Sequence, residues 1–156
     1  VKARAIVTMN GGAAAGCATV PSFHVGDFGD QATGVPPTPV DDGAVDGGRT
    51  VAVTCKVAPS AGGGFDLEAN VATVGDTTLT IRAAVDAQGK TKAGNMTLKK
   101  TSTWSSASCD LDATALPQGA VAGGRYWALV ACGGSTSDTG ATCDISGQLR
   151  VENCAQ

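Results

Sequence analysis

A chain of 156 residues is one domain by size, and a net charge of −3 with a pI near 4.9 argues against a nucleic-acid partner. Val, Leu, Ile and Phe together make up under a fifth of the residues, a thin supply for a core, but the low net charge sets the chain apart from the disordered class. No stretch holds the roughly 18 apolar residues of a membrane-crossing helix, and without an initiator Met the chain reads as a processed, exported product beginning at Val1.

Strands dominate the expected elements, because apolar and β-branched residues alternate with period two between Gly-rich breaks. Val1 to Met9 places Val1, Ala3, Ala5, Val7 and Met9 on one face and Lys2, Arg4, Ile6 and Thr8 on the other. The segment Gly11–Gly16 (GGAAAG) follows as a flexible tether, then a short extended run over Ala18 to Val25. Residues 26–48 form a long connection rich in Gly, Pro and Asp; Pro36, Pro37 and Pro39 keep it out of any sheet interior. Loops of this length in compact domains are usually functional or flexible.

Regular strands are expected over Arg49–Val57, Phe65–Val74, Thr77–Ala87 and Lys90–Lys100, with turns at Gly75-Asp76 and Gln88-Gly89. A serine-rich strand over Thr101–Cys109 continues the last of these after a bend. Asp110–Leu116 reads as one helical turn ahead of Pro117. Arg125–Cys132 is the most apolar strand and therefore central, and Thr142–Glu152 closes the sheet. Eight to ten short strands of this kind predict an all-β fold, an antiparallel sandwich or barrel in a single domain over residues 1–156.

Six cysteines, with no C-x-x-C spacing and one histidine in the whole chain, read as three disulfides formed in an oxidising compartment. They compensate for the thin core, since each typically adds about 2–4 kcal/mol. Of the fifteen connectivities that six cysteines allow, chain order favours Cys132–Cys143 across a hairpin, Cys55–Cys154, and Cys17–Cys109 by elimination. Close Cys pairs or Cys/His clusters are missing, so no metal or other cofactor is expected at these residues.

Other chemistry is sparse. His24 has Asp27 and Asp30 nearby, but no nucleophile motif accompanies it, and a surface histidine is the simpler reading; the chain is not expected to be an enzyme. Asp41, Asp42 and Asp46 cluster with glycine as calcium loops do, yet off the EF-hand spacing, which favours a solvated acidic loop. Asn95-Met96-Thr97 is a glycosylation sequon that chance supplies readily. Trp104, set among small polar residues, is the candidate platform for stacking a sugar ring; the simpler alternative puts Trp127 or Tyr126 in the core and has Trp104 cover a sheet face. Tyr126 and Trp127 are adjacent and so face opposite sides of their strand.

Charge is unevenly spread. Residues 5–48 carry five acids and no Lys or Arg, whereas Thr77–Lys100 carries five bases against one acid. Such segments are solvated faces or complementary patches between subunits. The N-terminal strand is the most specific feature: alternating, basic at Lys2 and Arg4, and tethered by glycine and alanine. Strand addition to a neighbouring copy would use Val1, Lys2, Ala3, Arg4, Ala5, Val7 and Met9; pairing within its own sheet is the simpler alternative. The sequence thus predicts a secreted structural or adhesive surface protein, on a bacterial cell by its Ala/Gly/Thr-rich composition, self-associating into an oligomer or filament through residues 1–10. The alternative is a monomeric module that binds carbohydrate or a protein target.

Overall fold

The computed structural model describes all 156 residues. It is almost entirely antiparallel β, a sheet rolled into a nearly closed barrel and held by three disulfides. Between sandwich and barrel, the chain takes the barrel.

The middle of the chain is a regular meander. Strands β5 (Arg49–Pro59), β6 (Phe65–Thr73), β7 (Thr77–Val85) and β8 (Thr91–Lys99) pair each with the next in chain order. Period-two alternation sends Val51, Val53, Val57, Leu67, Ala69, Val71, Leu79, Ile81, Val85, Met96 and Leu98 into the barrel. Thr54, Asn70, Thr80 and Thr97 occupy successive register positions on the outer face. Apolar inside and polar outside is the reverse of a lipid-facing barrel wall.

The remainder is built from long-range pairings. β1 (Arg4–Gly11) pairs antiparallel with β13 (Thr142–Glu152) along its whole length, and β13 pairs with β12 (Arg125–Ser137). The other edge of β12 is shared by three short strands: β9 (Thr103–Ser106), β10 (Cys109–Asp112) and β11 (Ala120–Ala122). β9 also pairs with β8, which links the two parts of the sheet. β2 (Phe23–Val25) and β3 (Val40–Asp41) lie along the far edge of β1, and β4 (Val45–Asp46) folds onto the start of β5.

The barrel closes where β5 comes round to the β1 side, and no full strand fills the seam. Short pieces satisfy the β5 edge instead. Val51 exchanges hydrogen bonds with Ala44 and Gly43, and the Asp42 carboxylate accepts the Val53 N–H at 2.8 Å. Ala155 donates to the Cys55 carbonyl and accepts from Val57, while Gly124 donates to the Val57 carbonyl. An edge patched in this way offers no free ladder to another chain.

Disulfides join Cys17–Cys143, Cys55–Cys154 and Cys109–Cys132. Only the second matches the pairing expected from chain order. Register explains the other two. Cys109 sits directly opposite Cys132 on β10 and β12, with Cα atoms 4.2 Å apart. A bulge in the β12–β13 hairpin sets Cys132 opposite Ile145 and Cys143 opposite Ser135, so Cys132 and Cys143 do not face each other. Cys143 instead meets Cys17, which a 3-10 turn at Ala15–Cys17 brings over the hairpin.

Other expectations shift by local chemistry. The run expected over Ala18–Val25 is strand only at Phe23–Val25. The helical turn expected over Asp110–Leu116 is strand up to Asp112, followed by a 3-10 turn at Ala113–Ala115 that the Asp112 carboxylate caps through the Thr114 N–H. Thr101–Cys109 does not extend β8 but turns back on it, with Thr103 opposite Lys99. Gly89 adopts φ +82° beneath Tyr126, whose hydroxyl donates to the Gly89 carbonyl at 2.8 Å; a β-carbon there would stand 2.7 Å from that of Ala113.

Candidate functional site

The residues singled out from sequence disperse. Trp104 is no platform: it is fully buried. Its segment alternates, so Trp104 and Ser106 point into the barrel while Ser105 points out. Polar neighbours in sequence hid an inward-facing ring. His24 is exposed and its Nδ1 lies 3.4 Å from the Thr8 hydroxyl; Asp27 and Asp30 do not reach it, because they accept the backbone N–H groups of Gly29 and Ala32. Asp42 and Asp46 likewise accept from Val53 and Gly26, and no three His, Cys, Asp or Glu side chains gather as a metal would need. The acids of the long loop brace its own turns and tie it to the barrel.

Charge asymmetry also resolves locally. Three of the five bases in Thr77–Lys100 pair with acids on adjacent elements: Arg82 with Glu68, Lys90 with Asp112, and Lys100 with Asp76. At the N-terminus, Val1 to Ala3 precede the strand, and Val1 is exposed while Ala3 packs against the core. Ala5, Val7 and Met9 are fully buried, and so is Ile6, on the opposite face beneath Gly26. Lys2 donates to the Asp42 carbonyl at 3.1 Å, and Arg4 lies in register with Asp41. The basic strand and the acidic loop therefore meet within one chain.

The outer face of β1, β13 and β12 carries a constellation absent from the sequence reading. Ile6, Arg150, Trp127 and Ala120 occupy one cross-strand row. The Arg150 guanidinium lies over the Trp127 ring, 4.6 Å from its centroid, and Phe28 from the long loop stacks on the same indole at 6.1 Å. In the next row Glu152 takes a hydrogen bond on each oxygen, from Arg4 Nε at 2.6 Å and Arg150 Nε at 2.7 Å. Burial alone would raise the Glu152 carboxyl; the two guanidiniums outweigh it and hold the group below its usual range. Arg125, at the start of β12, is exposed and enters no ion pair.

These residues border a cavity of about 310 Å³ lined by Pro37, Gln118, Arg125, Trp127, Arg150 and Glu152, among others. Residues 27–38 form a small flap that borders it at Pro37, an irregular hairpin whose backbone bonds run between Asp27 and Thr38 and between Asp30 and Val35. Of its lining residues, Trp127 and Arg150 each carry a nitrogen, Nε1 and Nη1, that is shut off from solvent without a hydrogen-bond acceptor. The sequence signal was partial: Trp127 opposes Tyr126 in direction, and Arg150 and Glu152 share a strand face, but their neighbours depend on register.

Comparison with family models, with curated proteins and with solved structures finds no match to this chain.

Proposed function

We propose that this is an extracellular structural subunit of a cell surface, bacterial by its composition, which self-associates by donating β1 to a neighbouring copy. Three disulfides and the absence of any helix long and apolar enough to cross a membrane agree with an extracellular or secreted protein.

The observation that carries the reading is how β1 is attached. It is an interior strand with four fully buried side chains, yet it leaves the barrel through Gly12–Gly16, an exposed Gly/Ala segment that bonds to the Asp144 carbonyl through the Gly12 N–H and stops at the Cys17–Cys143 disulfide. Every contact β1 makes in its own chain can be made unchanged in another, the condition for exchange of an element between copies. Five extended residues span about 17 Å, so a donating copy must dock beside the Cys17 end of its acceptor. Repetition without closure gives a filament; closure gives a ring or dimer. Such an assembly is structural and needs neither cofactor nor catalysis.

Thr8 lies opposite Gln148 on β1 and β13, and neither is in the core. A Thr8→Cys, Gln148→Cys protein oxidised after assembly reports which chain supplies β1. A ladder or dimer band on a non-reducing gel is expected. A single monomer band at all protein concentrations refutes exchange. A chain lacking residues 1–11, restored to folded form by a synthetic 1–11 peptide, would give independent support.

The monomeric binding module stays as a second reading because of one observation, the cavity at Trp127 and Arg125.

A further inference from the structure

We propose that the cavity beneath the 27–38 flap is a binding site for a carboxylate-bearing ligand about the size of one sugar ring. The proposal does not depend on strand exchange: the lining side chains Arg125, Trp127, Arg150 and Glu152 lie on β12 and β13, and Arg4 of β1 meets Glu152 whichever copy supplies that strand.

Charge gives the first argument. Arg4, Arg125 and Arg150 surround a single carboxylate, Glu152, whose two oxygens are already taken by Arg4 and Arg150. Arg125 is left with its guanidinium unpaired at the rim. An arginine fork presents parallel N–H donors that fit a carboxylate in bidentate fashion. In a chain of net charge −3, this local excess of positive charge favours an anion.

The floor gives the second. Buried donors without acceptors are rare in native proteins, and each costs roughly 1–3 kcal/mol. Three occur in this chain: Trp104 Nε1 lies in the core, and the other two, Trp127 Nε1 and Arg150 Nη1, belong to neighbouring residues that line the cavity. The Arg150 guanidinium has the indole face as partial compensation; the Trp127 N–H has none. Phe28 of the flap is the aromatic ring stacked on this floor. A ligand oxygen seated against Trp127 and Arg150 would supply the acceptor that these two donors lack.

Size gives the third. About 310 Å³ is at the small end of the range for ligand cavities, enough for a single ring and too little for a folded partner. Gln118 adds an amide that can both donate and accept at the wall.

The test uses the disulfide-intact, full-length protein labelled with ¹⁵N and titrated with glucuronate, galacturonate and acetate, with glucose as the uncharged control. The two indole N–H signals separate the cavity from the core: Trp127 should shift saturably with the acids, and Trp104 should not move. Trp127→Phe assigns the peak. Arg125→Ala, at an exposed position, should fold normally and weaken binding roughly ten- to a hundredfold, as expected for loss of a charged hydrogen bond. Weak acetate binding beside tight uronate binding supports a ring-sized ligand. Adding oligogalacturonate distinguishes a polymer residue from a free acid, each a source of the same carboxylate. A Trp127 signal unmoved by every acid, an equal response to glucose, or an Arg125→Ala protein that binds like the parent overturns the proposal.

Discussion

The β5–β8 meander and the β1–β12–β13 side enclose one core, yet they are held by different means. In the meander each strand pairs with its sequence neighbour, the turns are short, and no disulfide joins two of its strands. On the other side Arg4 meets Glu152 across 148 residues, and Cys17 meets Cys143 across 126. All three disulfides fall on or beside that side. Local pairing carries a small loop-closure cost and needs only pattern and turn chemistry; distant pairing carries a larger one. With a core poor in large side chains, covalent links offset that cost by restricting the unfolded chain.

Cutting the bolt between the two sides is the largest way to break this contrast. Cys55–Cys154 ties the meander edge to the far end of the chain, across 99 residues. With the other bridges intact, the loop it closes is shortened through Cys17–Cys143, and the chain-entropy relation then gives about 4 kcal/mol. A Cys55→Ser, Cys154→Ser protein should lose that much stability in denaturant unfolding. Hydrogen exchange should quicken first at β1, β3 and the seam, and last in β6 and β7. Uniform quickening would mean that the two sides are energetically one unit.

The same contrast sets what could be read from the sequence. The faces of β6 and β7 were legible because Leu67, Ala69 and Val71, then Leu79, Ile81 and Val85, alternate without interruption and turn at Gly75-Asp76. The strand nature of β1, β12 and β13 was legible too, but not which residues oppose one another. That needs the bulge between Cys132 and Ser135, which no residue type announces, and so two of the three disulfides were misassigned. Trp104 was misplaced for a related reason: the inward positions beside it are Ser106, Ser135 and Ser137, buried polar residues that resemble a surface. The cavity at Trp127 was hidden most deeply, because Phe28, Arg150 and Arg125 come from three separate elements.

A smaller effect is expected at the junction of the two sides. The Tyr126 hydroxyl, from β12, bonds to the Gly89 carbonyl in the turn between β7 and β8, and burial together with the charges of Asp112 and Asp86 pushes that phenol well above its usual range. Tyr126→Phe keeps the ring and leaves the carbonyl without this donor, which should cost about 1 kcal/mol. The Tyr absorbance of the parent should show no phenolate form until the barrel unfolds in alkali. A titration at the ordinary tyrosine value with the fold intact would show that the turn does not shield this ring.

The smallest effect compares one ion pair from each side. Arg82 and Glu68 bridge β7 and β6 at 3.0 Å, both well exposed, and Glu68→Gln should change stability by less than about 0.5 kcal/mol. Glu152 differs: its side chain is 15% exposed and it serves two arginines. Its folded carboxyl lies below the ordinary 4.5, so the unfolded chain takes up the proton first as the pH falls. The stabilisation it gives is therefore complete above about pH 4.5 and disappears as the pH drops through the lower, folded value. Glu152→Gln should lose roughly 1 kcal/mol at neutral pH, and the gap from the parent should narrow steadily in acid. If the gap instead stayed constant down to the acid transition, the arginines would be holding Glu152 by shape alone. The row of charge along β1 and β13 would then contribute no more than the exposed pair on the meander.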